Sequence, residues 1–154
     1  MAYTAAGIST LGIELGYGAY TDNATFPSAL TPLGRINAIG GISLETEKID
    51  ASAIVDKITR YIQGRADTGG SWSVTINLTD ETLAEWNAIK GTKKWFEIYH
   101  PLMTSALWVV AEVPEALGVP EIAQNELFTY EIQLTLNFYH GWDSTKVVAI
   151  NSEA

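Results

Sequence analysis

The stretch FTYEIQLTLNFY, residues 128–139, alternates apolar and polar side chains without a break. A period of two belongs to a β-strand with one face buried, because successive side chains leave a strand on opposite sides. Phe128, Tyr130, Ile132, Leu134, Leu136 and Phe138 should therefore share a core face, with Thr129, Glu131, Gln133, Thr135 and Asn137 on the other. At twelve residues the run is long against a usual strand of about five or six. SWSVTINLT repeats the pattern, with Trp72, Val74, Ile76 and Leu78 set against Ser71, Ser73, Thr75, Asn77 and Thr79. Two long strands with matching polar faces predict an antiparallel pair.

The rest of the chain reads the same way. LGIELGYGAY alternates around glycines that permit bulges or close backbone approach. INAIGGISLETEKID is strand with a bend at Gly40-Gly41, and KKWFEIYH and ALWVVAEV are strands divided by PLMTS. One helix is expected in TDETLAEWNAIKG, with Thr79 or Asp80 as N-cap, an apolar stripe of Leu83, Trp86 and Ile89, and Gly91 as the stop. The expected fold is mainly β: an antiparallel β-sandwich or barrel with one short α-helix and a long projecting loop. The 154 residues suit one domain, 1–154, with an N-terminal arm 1–10, a long loop 49–70 and a C-terminal arm 140–154.

The loop needs a reason, since most connections run to about 4–6 residues. Within it Ile54, Ile58, Tyr61 and Ile62 have a helix-like spacing. One reading is a short amphipathic helix covering the chain's own core. The other is a contact loop for a second subunit, carried by Ile54, Ile58, Arg60, Tyr61 and Ile62.

Chemistry is scarce. His100 and His140 have no metal-ligand spacing and read as turn or edge residues. No nucleophile elbow, phosphate loop or dinucleotide fingerprint is present. Glu45 and Glu47 form an i, i+2 pair that more often meets solvent than substrate. The five tryptophans read as core or interface residues. No enzymatic activity, metal or cofactor is expected. With no cysteine there is neither disulfide nor thiolate site, and a net charge of -9 argues against a basic nucleic-acid-binding patch. The first residues lack a basic, apolar leader and no run approaches a membrane span, so a cytoplasmic origin without membrane contact is expected.

The order of parts then matters more than any single motif. IxxIGGIS (Ile36 to Ser43) is followed by ETEKIDAS (Glu45 to Ser52), by YIQGRADTG (Tyr61 to Gly69) and by VTINL (Val74 to Leu78); a short helix and a long last strand complete the series. This succession, over the whole chain, resembles the major tail proteins, or tail tube proteins, of long-tailed bacteriophages. Ser52-Ala53 departs from the Thr-containing pair expected there. The resemblance implies a virion subunit, built in the host cytoplasm, that forms hexameric rings stacked into a hollow tube for DNA ejection. It implies as partners the chain itself, a tape measure protein, a tail terminator, and DNA in transit without specific binding. Glu131, Gln133, Thr135, Asn137, Ser73, Thr75 and Asn77 would then face the lumen, with Glu14, Glu45 and Glu47 as further candidates. Such a face should repel DNA weakly, and the polar positions of the last strand include no Lys or Arg. The alternative is a monomeric β-barrel ligand-binding protein with Trp and Tyr lining a cavity; a hydrolase using Glu45 and Glu47 ranks below both.

Overall fold

The computed structural model describes residues 7–145 and 147. The elements are β1 (Glu14–Gly18), β2 (Thr31–Leu33), β3 (Ile36–Ile39), β4 (Glu45–Asp50), β5 (Tyr61–Asp67), β6 (Ser71–Asn77), α1 (Asp80–Asn87), β7 (Lys93–Tyr99), β8 (Ala106–Glu112) and β9 (Thr129–Asp143). Seven strands form one sheet in the order β2-β1-β7-β8-β9-β6-β3, and β4 pairs with β5 alone. Every pairing is antiparallel. The mainly β architecture read from the sequence is the one observed.

The sheet is curled. Its outer strands, β2 and β3, are separated in the chain only by Gly34 and Arg35. Laid flat, seven strands would hold them roughly 29 Å apart, at about 4.8 Å per step. The three Cα steps from Leu33 to Ile36 reach at most about 11 Å. The two edges must therefore curve toward each other, as in a barrel. Arg35 makes the corner with a left-handed φ of 55°, and Asn77 N–H donates to its carbonyl at 2.9 Å.

The core lies on the concave side. Trp72, Val74 and Ile76 of β6, Ile132, Leu134 and Leu136 of β9, and Phe96, Val109 and Leu15 meet there. The alternation in β6 and the first half of β9 places these residues inward as expected. β9 then departs from it. Val110 pairs with Phe138 but Ala111 with Leu136, so Asn137 is an extra residue in a bulge; His140 is a second one. Phe138 is thereby turned out of the inner core into a second cluster, contrary to the expected single apolar face.

That second cluster covers part of the outer face. Trp95 and Tyr99 of β7 and Ala106, Trp108 and Val110 of β8 pack beneath Tyr20, Phe26 and Leu30 of the β1–β2 connection. The rings of Phe26 and Trp108 stack at 4.5 Å. Val147 joins the cluster and its N–H donates to the buried Glu97 at 2.8 Å. Residues 145 and 147 of the expected C-terminal arm thus rest on the chain's own barrel, since Trp108 Nε1–H also donates to the Thr145 carbonyl at 2.9 Å; 146 and 148–154 lie outside the described residues, as do 1–6 of the N-terminal arm.

α1 packs on the inner core through Trp86, with Ile89 just beyond its last turn. Thr79 is the N-cap, in a capping box with Thr82, and Asp80 and Glu81 occupy the first turn where the helix dipole favours acids. Thr82, Trp86 and Ile89 are buried, while Leu83 is not. The buried stripe is therefore rotated from the expected Leu83, Trp86, Ile89, because Thr82 bonds to the end of β6 through the Asn77 carbonyl. No helix among the described residues is long and apolar enough to cross a membrane.

Candidate functional site

Three surfaces of the described residues bear on function. The first is the uncovered outer face of β3, β6 and β9. Ser71, Ser73 and Thr75 stand opposite Thr135, Gln133 and Glu131, and Asn77 takes a 2.9 Å hydrogen bond from the Asn37 side chain of β3. Gln133 also donates to the Glu131 carboxylate. Six of the seven expected lumen residues thus share one continuous polar patch; the seventh, Asn137, sits exposed at the bulge. The three strands contain no Lys or Arg. Of the further candidates, Glu14 lies apart, bonded to the Tyr99 hydroxyl, and Glu45 and Glu47 belong to β4.

The second surface is the β4–β5 hairpin. The segment 49–70 contains no helix: it runs from the end of β4 through the irregular connection 51–60 into β5 and on to β6. The helix-like spacing fails because Tyr61 and Ile62 are adjacent strand residues, paired with Asp50 and Ile49. The turn is tied by its own polar groups. Asp50 accepts from Ser52 N–H at 2.9 Å, which draws its carboxyl below the ordinary range. Asp56 accepts from Ala53 N–H at 2.8 Å and pairs with Arg60 at 3.2 Å. This fixes a turn that presents Ile54, Val55 and Ile58 outward, at 104%, 85% and 80% exposure. Tyr61 and Ile62 are exposed behind them. Gly64 and Arg65 bulge opposite Glu47, and every β4 side chain is exposed. Glu45 and Glu47 therefore sit in an open depression with Arg65 and Asp67, where no wall shelters a carboxylate from water.

The third surface, which the sequence reading missed, is an open apolar groove of about 460 Å³ beside α1. Leu78, Leu83, Val119, Pro120 and Phe128 line it, together with Thr79, Asp80 and Gly118. The only sequence signal was the apolar content of VPEALGVPEIAQNELF, which follows no period.

The histidines are structural in their contacts. His100 is buried; its Nδ1 accepts from Leu102 N–H at 3.0 Å, which leaves Nε2–H to donate to the Ser9 carbonyl at 2.7 Å. His140 bonds to Asp143 at 2.9 Å. Among the described residues no three acidic or histidine side chains are grouped to hold a metal ion. Of the tryptophans that the ligand-binding alternative would place around a cavity, Trp72, Trp86, Trp95 and Trp108 are buried in the core and Trp142 is exposed. Trp72 and Trp86 pack on Phe96 at 5.7 and 6.4 Å between ring centres and fill the interior.

No family model matches the chain, and no curated protein does. Among solved structures, it is similar to a chain of one described as "Cryo-EM structure of the anti-feeding prophage (AFP) baseplate, 6-fold symmetrised", at 10% sequence identity and a TM-score of 0.46, covering 86% of this chain and 93% of that one. A likeness that loose brings no role to the residues here.

Proposed function

We propose that the protein is a structural subunit of a phage-type tail tube, which associates with copies of itself into rings stacked around a hollow conduit for DNA. The hairpin carries this reading. A two-stranded ribbon is at best marginally stable in water by itself, and this one leaves Ile54, Val55 and Ile58 uncovered at its tip. Large exposed apolar groups at one tip mark a contact with another protein. The order of motifs along the chain supports a tube subunit as the form that contact takes. The patch on β3, β6 and β9 supports an inward, water-filled side. It is polar, carries the Glu131 carboxylate and has no cation to hold phosphate.

Sedimentation of the purified chain at rising concentration tests self-association directly; large, regular species are expected. The lumen assignment is tested by Glu131→Lys with Gln133→Lys. Both sites are exposed, so folding and assembly should persist. The assembled variant should retain duplex DNA at low salt and release it as salt rises, whereas the parent retains none. Equal retention by both would remove these strands from the lumen.

A further inference from the structure

We infer that the β4–β5 ribbon is hinged to the barrel, turning as an intact unit about a joint formed by Ser43 and Leu44 on one arm and Thr68 and Gly69 on the other. The ribbon and the β3–β6 pair are parts of one long hairpin. Pairing runs from Ile36 with Ile76 to Ile39 with Val74, and Gly40 N–H still donates to the Ser73 carbonyl at 2.7 Å. It resumes at Glu45 with Asp67, displaced by a single residue. Between those points 41–44 and 68–70 lie outside any strand, and among the described residues no backbone hydrogen bond joins the two stretches.

The barrel side of the joint is fixed. Trp72 Nε1–H donates to the Gly40 carbonyl at 3.0 Å, Ile42 packs against the inner core, and Leu136 N–H donates to the Gly70 carbonyl at 2.9 Å. The joint itself is held only locally. Gly69 N–H donates to the Asp67 carboxylate at 2.9 Å and Gly70 N–H to the Thr68 hydroxyl at 3.4 Å, both on their own arm. Turning the ribbon therefore breaks no backbone bond between the arms. An open depression of about 280 Å³ lies at the joint, lined from both arms by Gly41, Ser43, Glu45, Asp67, Thr68 and Gly69. The first pair beyond it sets Glu45 opposite Asp67, two carboxylates whose repulsion opposes closing the ladder toward the barrel.

The glycines of the two arms differ in what they supply. A Cβ at Gly40 would stand 2.4 Å from Ser73 Oγ, so close packing excludes a side chain there. A Cβ at Gly69 would meet nothing within 4 Å. No neighbour requires glycine at 69; what it supplies is a φ of 81° and the freedom to leave it. A hinge needs a few residues at element ends that absorb a change in φ and ψ. The ribbon pairs with no barrel strand, so its tip of Ile54, Val55 and Ile58 can meet a partner over a range of angles, from which contact selects one. The motion belongs to the single chain and does not depend on association.

The chain contains no cysteine, so pairs of spin labels can be placed on introduced thiols. Lys48, Gln63, Lys90 and Gln133 are all exposed. In the full chain, diluted until monomeric, labels on Lys48→Cys and Lys90→Cys run from ribbon to barrel. They should give a broader distance distribution than labels on Gln133→Cys and Lys90→Cys, which both sit on the barrel side of the joint. Labels on Lys48→Cys and Gln63→Cys, opposite each other in the ribbon, should stay close and show strong dipolar broadening. Gly69→Asn retains a left-handed backbone but narrows its range, so it should sharpen the ribbon-to-barrel distribution. Equal widths for the two long pairs would mean a rigid joint, and loss of the Lys48–Gln63 proximity would mean a frayed ribbon; either overturns the inference. A broad distribution that Gly69→Asn leaves unchanged would overturn the pivot assigned to Gly69.

Discussion

Asp22 shows how single residues hold the outer covering of the barrel in place. Its carboxylate accepts from Ala24 N–H at 2.8 Å and Thr25 N–H at 2.7 Å, and its carbonyl accepts from Trp95 Nε1–H at 3.2 Å. The bond from Ala24, followed by those from Thr25, holds the carboxyl below its ordinary value of 3.8. A carboxyl more acidic in the folded than in the unfolded chain gives its full stabilisation above the unfolded value and loses it as pH falls through the lower, folded one. Acid should therefore loosen residues 19–30 as Asp22 protonates, speeding amide exchange at Ala24 and Thr25; an Asp22→Ala variant should show fast exchange there already at neutral pH. Unchanged protection in the variant would contradict the role given to this side chain. Gly18 lies under the same covering. A Cβ there would stand 2.4 Å from Pro27 Cγ and 2.8 Å from Leu30 Cδ2. Gly18→Ala should cost about 1–3 kcal/mol through overpacking, read as a lowered Tm. Gly41→Ala, where a Cβ meets nothing within 4 Å, should be close to neutral.

At the scale of elements, the β4–β5 ribbon and the β6–β9 ladder should behave as separate units. The ladder joins seven residue pairs over the buried core, whereas the ribbon pairs only with itself. In dilute solution its amides should exchange well before those of β6 and β9, and assembly should slow them; identical rates for both elements would argue against a contact made by the ribbon. The contrast also explains what the sequence made legible. β6 and the first half of β9 have one buried and one wet face, so alternation marks both the strand and its inner side. KKWFEIYH and ALWVVAEV carry adjacent large apolar residues, Trp95 with Phe96 and Trp108 with Val109 and Val110. That near-continuous run is the mark of a strand covered on both sides, and it could have announced the second cluster. Phe138 was placed on the wrong face because a bulge at Asn137 shifts parity without altering the pattern of residue types. The ribbon was hidden for a different reason: with both faces exposed it imposes no alternation, and Ile54, Ile58, Tyr61 and Ile62 fell by chance into helical spacing. The groove beside α1 joins Leu78, the helix and Gly118, Val119, Pro120 and Phe128, residues too far apart in sequence for any local pattern to announce.

The whole molecule combines a filled barrel, a polar patch without Lys or Arg on the outer face of β3, β6 and β9, and an apolar hairpin tip that the other described residues leave open. A net charge of -9 keeps single chains apart at low ionic strength, so added salt should promote association by screening that repulsion. The filled interior turns attention from what the barrel contains to what several barrels enclose. Electron microscopy of the assembled protein tests that most directly. The account predicts hollow rings or tubes of repeating subunits, with Glu131, Gln133 and Thr135 on the inner wall and each hairpin tip against a neighbour. Solid or closed two-copy particles, or hollow ones with those three residues on the outside, would contradict it.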